Sequence, residues 1–122
     1  MLKEYEPEQR WQMAAAVLAK LSDSSPDLQG ALFLVGIQEL GQGVRDFTKE
    51  EKQDLMHIAI CRLLSSAGYY TLIGHDEGGW PLWEPIKTMP LLSLKEQDTM
   101  LKILVADYLA ELGYDTGAPL QH

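Results

Sequence analysis

At 122 residues, 46% hydrophobic and 23% charged, the chain has the size of one domain and enough apolar residues to bury a core without staples. Eighteen acids against ten bases give a net charge of −8. That balance excludes a nucleic-acid binder driven by counterion release, and also a surface drawn to anionic lipid.

Cys61 is the single cysteine, so an internal disulfide is excluded. The opening residues lack a cationic segment followed by an apolar one, which predicts a cytoplasmic protein. The longest strongly apolar run, residues 31–37, is too short to cross a bilayer.

In chain order the first predicted helix covers residues 7–21. Pro7 suits a first turn, Glu6 and Glu8 favour the positive end of the helix dipole, and Trp11, Ala14, Ala15, Leu18 and Leu21 form one stripe. The run from Ser22 to Ser25 breaks it. A second helix is predicted over residues 26–40, with Ser25 as N-cap and Pro26 at the first position. It is apolar on nearly every side, which places it centrally or against another copy of the chain. Gly36 lies within it and costs helix stability unless a neighbour comes close there.

The third helix, residues 49–67, opens on a capping box, Thr48 with Glu51. The fourth, residues 94–112, repeats the device with Ser93 and Glu96 and stops at Gly113. The tail, residues 114–122, is poor in apolar residues and is expected to fray. Four helices in one domain predict an all-α, four-helix-bundle-like fold.

An insert over residues 68–92 separates the last two helices. It carries four of the chain's ten aromatic residues: Tyr69, Tyr70, Trp80 and Trp83. Tyr69 to Ile73 reads as strand, Gly74 to Gly79 as turn, and Trp80 to Ile86 as a returning arm. The insert is therefore a small β-hairpin or a long ordered loop. Pro81 and Pro85 lack the N–H a ladder needs and confine the second arm to an edge.

Candidate chemistry is sparse. His57 and Cys61 stand four apart on one helical face, but no second pair completes a metal site. Asp54 three residues before His57 echoes half of a di-iron carboxylate helix, without the repeated motif that class requires. His75-Asp76-Glu77 is a polar turn in which His75 offers an acid or base, although a lone histidine in a glycine-flanked turn reads first as a solvated turn residue. Ser65 and Ser66 have no nucleophile elbow around them, and Gly74, Gly78 and Gly79 lack the spacing of a phosphate loop. Asp107 sits among apolar residues and is expected beside Arg62 or Lys102.

No catalytic residue, metal site or cofactor is assigned. Interaction residues are assigned to Tyr69, Tyr70, His75, Trp80 and Trp83, because Tyr and Trp concentrate binding energy. The leading expectation is a non-enzymatic module that self-associates or captures a protein partner through the insert. The alternatives are a small-ligand site beneath Trp80 and Trp83, and an acidic inhibitor of a basic protein. A ligand site requires a cavity of a few hundred cubic ångströms between insert and helices; an interaction face does not.

Overall fold

The computed structural model describes residues 4–118. Its elements are α1 (Pro7–Ser22), α2 (Leu28–Leu40), α3 (Lys49–Ser65), β1 (Tyr70–His75), β2 (Pro81–Pro85) and α4 (Leu94–Glu111). The chain forms two compact units, one from residues 1–31 with 92–122 and one from residues 32–91.

This arrangement corrects the all-α, four-helix-bundle expectation. Four helices are present among the described residues, but a two-stranded antiparallel sheet accompanies them and the architecture is mixed α/β. In the first unit α1 packs on α4; in the second, α3 packs on both strands of the hairpin. The physical reason lies in the insert. Pro81 is buried, and Trp80 and Trp83 pack against the Leu40, Leu55 and Ile58 cluster. The hairpin thus covers apolar helix surface that a bundle would cover with another helix.

In the first unit, α1 buries Arg10, Trp11, Ala14 and Leu18, and α4 buries Leu104, Val105, Ala106, Tyr108 and Leu109. The α1 helix ends at Asp23, whose φ of 58° is left-handed, a conformation its short polar side chain tolerates. The tail departs from expectation, because residues 114–118 are held rather than frayed. The buried Arg10 donates from Nε to the Thr116 carbonyl at 3.0 Å, and the Thr116 hydroxyl donates to the Ala106 carbonyl. Thr116 is only 1% exposed. Gly117, at φ +74°, lies against the Tyr5 ring and Met13, where a Cβ would meet Tyr5 Cδ2 at 2.9 Å. The expected fraying of residues 119–122 falls outside the described residues.

Asp107 is also placed differently. It pairs with Arg10, Nη2 to Oδ1 at 2.7 Å, whereas Lys102 pairs with Asp98 and Arg62 with Glu39.

The α2 helix starts two residues later than its sequence signal suggests. Asp27, not Ser25, takes the capping role, its Oδ1 accepting from the Gly30 N–H at 2.8 Å. Between Ala31 and Ile37 no residue is exposed, and Phe33 and Ile37 pack against the Leu40, Leu55 and Ile58 cluster. At Gly36 a Cβ would stand 2.3 Å from the Leu55 carbonyl oxygen, so α2 and α3 approach there at backbone distance. The boxes at the starts of α3 and α4 form as expected. Glu51 N–H donates to Thr48 Oγ1 at 3.1 Å while Thr48 N–H donates to Glu51 Oε1 at 2.9 Å, and Ser93 and Glu96 repeat both distances.

The insert resolves into a hairpin. Tyr70 pairs with Pro85, Thr71 with Glu84, Leu72 with Trp83, Gly74 with Leu82 and His75 with Pro81, with a bulge between Leu72 and Gly74. Bonds from Ile86 N–H to the Tyr69 carbonyl and from Asp76 N–H to the Trp80 carbonyl flank this register. Hydrogen-bonded and non-bonded pairs alternate in an antiparallel ladder. Both Pro85 and Pro81 therefore fall at non-bonded positions, with their nitrogens turned away from β1, and the ladder loses nothing to them.

Candidate functional site

The first three turns of α3 and the hairpin turn face each other across a cleft of about 290 Å³. Glu51, Asp54 and His57, spaced three apart on α3, line one side with Ile58 at the base; Asp76, Trp80 and Pro81 line the other. Three-residue spacing brings side chains onto neighbouring rows of a helix, so the three polar groups share a face.

The walls are held from both sides. Asp76 Oδ1 accepts from the N–H groups of Gly78 and Trp80, each at 2.9 Å, and Gly79 turns back at φ +85°. This is turn chemistry in which a carboxylate replaces backbone acceptors. Gln42 Nε2 then donates to the Gly78 carbonyl at 2.7 Å and ties the turn to the segment after α2. On the α3 side, Arg45 lies over the Phe47 ring at 4.4 Å and pairs with Glu51 at 3.0 Å. The Thr48 backbone N–H, followed by Arg45, holds the Glu51 carboxyl below the usual glutamate range.

Two of the three carboxylates are thus already engaged, Glu51 by the cap and Arg45, Asp76 by the turn. Asp54 is different. It is exposed and makes no hydrogen bond or ion pair among the described residues. The cleft offers one uncommitted negative charge beside a half-buried indole.

His57 and Cys61 do meet, Nε2 to Sγ at 3.6 Å. Cys61 is 1% exposed and burial pushes its thiol above the usual cysteine range, which suppresses the nucleophilic thiolate. Cys61 is a small core residue. Among the described residues no three of His, Cys, Asp and Glu are grouped to hold a metal ion. The hydroxyls of Ser65 and Ser66 donate to the carbonyls of Arg62 and Leu63 and serve the end of α3.

The chain matches no family model, no curated protein and no solved structure. Among the described residues no helix is long and apolar enough to cross a membrane.

Of the five aromatic and histidine residues singled out in the insert, only Trp80 lines the cleft. Trp83 lies on the same sheet face as Pro81, turned toward the Leu40, Leu55 and Ile58 cluster, with its indole N–H buried and unpartnered. Tyr70 is half-buried opposite Pro85. Tyr69 sits beneath the Lys87 ammonium at 4.9 Å. His75 is exposed opposite Pro81 and is not among the residues lining the cleft. The residues overlooked as partners of Trp80 are Glu51, Asp54 and His57. Their three-residue spacing is the signal that could have found them, once the hairpin was known to fold over that face.

Proposed function

We propose that the chain is a binding protein whose recognition site is the cleft between α3 and the hairpin turn, and that it takes a small cationic group. The observation that supports this reading is the pairing of an uncommitted Asp54 with the Trp80 indole across that cleft. A carboxylate provides an ion pair to an ammonium or guanidinium, and an indole face attracts the same cation through its quadrupole. The volume favours a small occupant, since about 290 Å³ lies just below the roughly 300–1,000 Å³ of ligand sites. A free amine or one basic side chain of a partner protein satisfies that size. The net charge of −8 draws either toward the chain.

Agmatine, which carries a guanidinium and an amine, is a direct probe. Titrating it while following the Trp80 indole N–H by NMR should give a saturable shift that added salt weakens. Asp54→Asn should reduce the affinity by about tenfold, the value of one charge-assisted contact. No shift at millimolar agmatine, or an unchanged affinity in Asp54→Asn, would overturn the reading.

A further inference from the structure

A second cavity, larger than the cleft and sharing no residue with it, lies in the first unit. It is a groove of about 480 Å³ along the first half of α4. Its lining falls on two rows at four-residue spacing, Lys95, Thr99 and Ile103 on one and Glu96, Met100 and Leu104 on the other. Each row starts on a charge and ends on an apolar residue, so polarity falls along the groove. Leu92 adds an apolar wall ahead of the helix, and Gln97 Nε2 fixes its backbone by donating to the Leu92 carbonyl at 3.0 Å.

The polar groups of the groove are not equivalent. Glu96 is drawn back onto the helix cap, its Oε1 accepting from the Ser93 N–H at 2.9 Å. Lys95 is exposed and Thr99 half-buried, and neither side chain has a hydrogen bond, ion pair or ring contact among the described residues. An ammonium and a hydroxyl one turn apart are thus left to donate to one ligand group. Lys95 also stands in the first turn of α4, where the helix dipole favours a negative charge.

We infer that this groove binds a medium-chain aliphatic carboxylate, its head on Lys95 and Thr99 and its tail along Met100, Ile103 and Leu104. The lining selects that class. A hydrophilic anion would leave the apolar ends of both rows unused, and a hydrocarbon would leave the two donors unused. A single negative charge on an apolar tail matches both, and one free ammonium matches one charge. From Lys95 to Ile103 the row extends about 12 Å at the α-helical rise, the scale of an extended decanoate chain. The volume of about 480 Å³ falls within the roughly 300–1,000 Å³ of ligand sites.

Decanoate titrated into the full chain below its micellar range tests this, with the Thr99 amide and the Met100 methyl followed by NMR. Both signals should shift saturably with one affinity. Lys95→Gln should weaken that affinity by about threefold, the scale of an exposed ion pair. Glu96→Gln removes the like charge beside the head and should strengthen it by a similar factor. Decanol, which lacks the charge, should respond to neither substitution. Both positions are exposed, and circular dichroism checks that each variant keeps its helices. The absence of saturable shifts at millimolar decanoate, or an affinity that Lys95→Gln leaves unmoved or Glu96→Gln lowers, would overturn the proposal. So would decyltrimethylammonium moving the same signals as strongly as decanoate. Shifts produced by raising the protein concentration alone would assign the groove to a second copy and overturn it too.

Discussion

Replacing Gly36 tests the closest approach in the second unit. Alanine at an interior helix position normally gains about 1 kcal/mol over glycine. Here the added Cβ would stand 2.3 Å from the Leu55 carbonyl oxygen, 2.8 Å from its carbonyl carbon and 3.0 Å from its Cβ. The obstacle is backbone, which has no rotamer to escape into, so α2 and α3 must separate by about 1 Å to reach ordinary contact. Overpacking a core costs about 1–3 kcal/mol, and a backbone obstacle belongs at the upper end. Subtracting the helix gain leaves a net loss of about 2 kcal/mol for Gly36→Ala, and more for Gly36→Leu. At this chain length that corresponds to a fall in Tm of roughly 6–10 °C. Urea and thermal unfolding followed by circular dichroism measure both quantities. A Gly36→Ala protein as stable as the wild type, or more so, would refute the argument, because helix propensity would then have met no opposition.

Two further tests address the first unit and the helix caps. Arg10→Met should cost about 1–3 kcal/mol, since it strands the Thr116 carbonyl and removes the ion pair to Asp107. Amide exchange at residues 114–118 should then accelerate ahead of α4, and unchanged protection there would refute the anchoring role. Glu51 and Glu96 are both held below the usual glutamate range, each chiefly by the N–H of its cap residue. A folded pKa below the unfolded one means the unfolded chain takes up the proton first as pH falls. The stabilisation is therefore complete above the ordinary glutamate value of about 4.3 and is lost as acid titrates from there down through the folded value. Glu96→Gln keeps the cap geometry and removes the charge, so its Tm should fall less steeply below that pH than the wild type's. Parallel slopes would refute the assignment.

Features written in a few adjacent residues were legible in the sequence. Thr48 with Glu51 and Ser93 with Glu96 identify helix starts because cap and partner lie three residues apart. Tyr69 to Ile86 carried a hairpin in its residue types, with a loop as the alternative. Asp27 was hidden because Ser25-Pro26 is a stronger local signal, and the competing carboxylate shows only once its oxygen is seen on Gly30. The bundle expectation failed because apolar stripes show that a helix is buried and not what buries it, and here Trp80, Trp83 and Pro81 took a helix's place. The cleft was illegible for the same reason. Asp54 and His57 were read as half a metal motif and Asp76 as a turn residue, while hairpin register and packing bring them to opposite walls of one cleft.

The division of the chain also bears on the order in which it folds. The second unit is one continuous stretch, residues 32–91, whereas the first is assembled from the two ends of the chain. During synthesis at roughly 5–20 residues per second, α1 precedes its partner α4 by the whole of that stretch, a delay of about 3–12 s. Through that interval Trp11, Ala14 and Leu18 have no α4 to pack against. The nascent chain is then most open to aggregation through α1, while α2, α3 and the hairpin are already able to close on one another. Slowing translation within residues 32–91 would lengthen that exposure without touching any native contact.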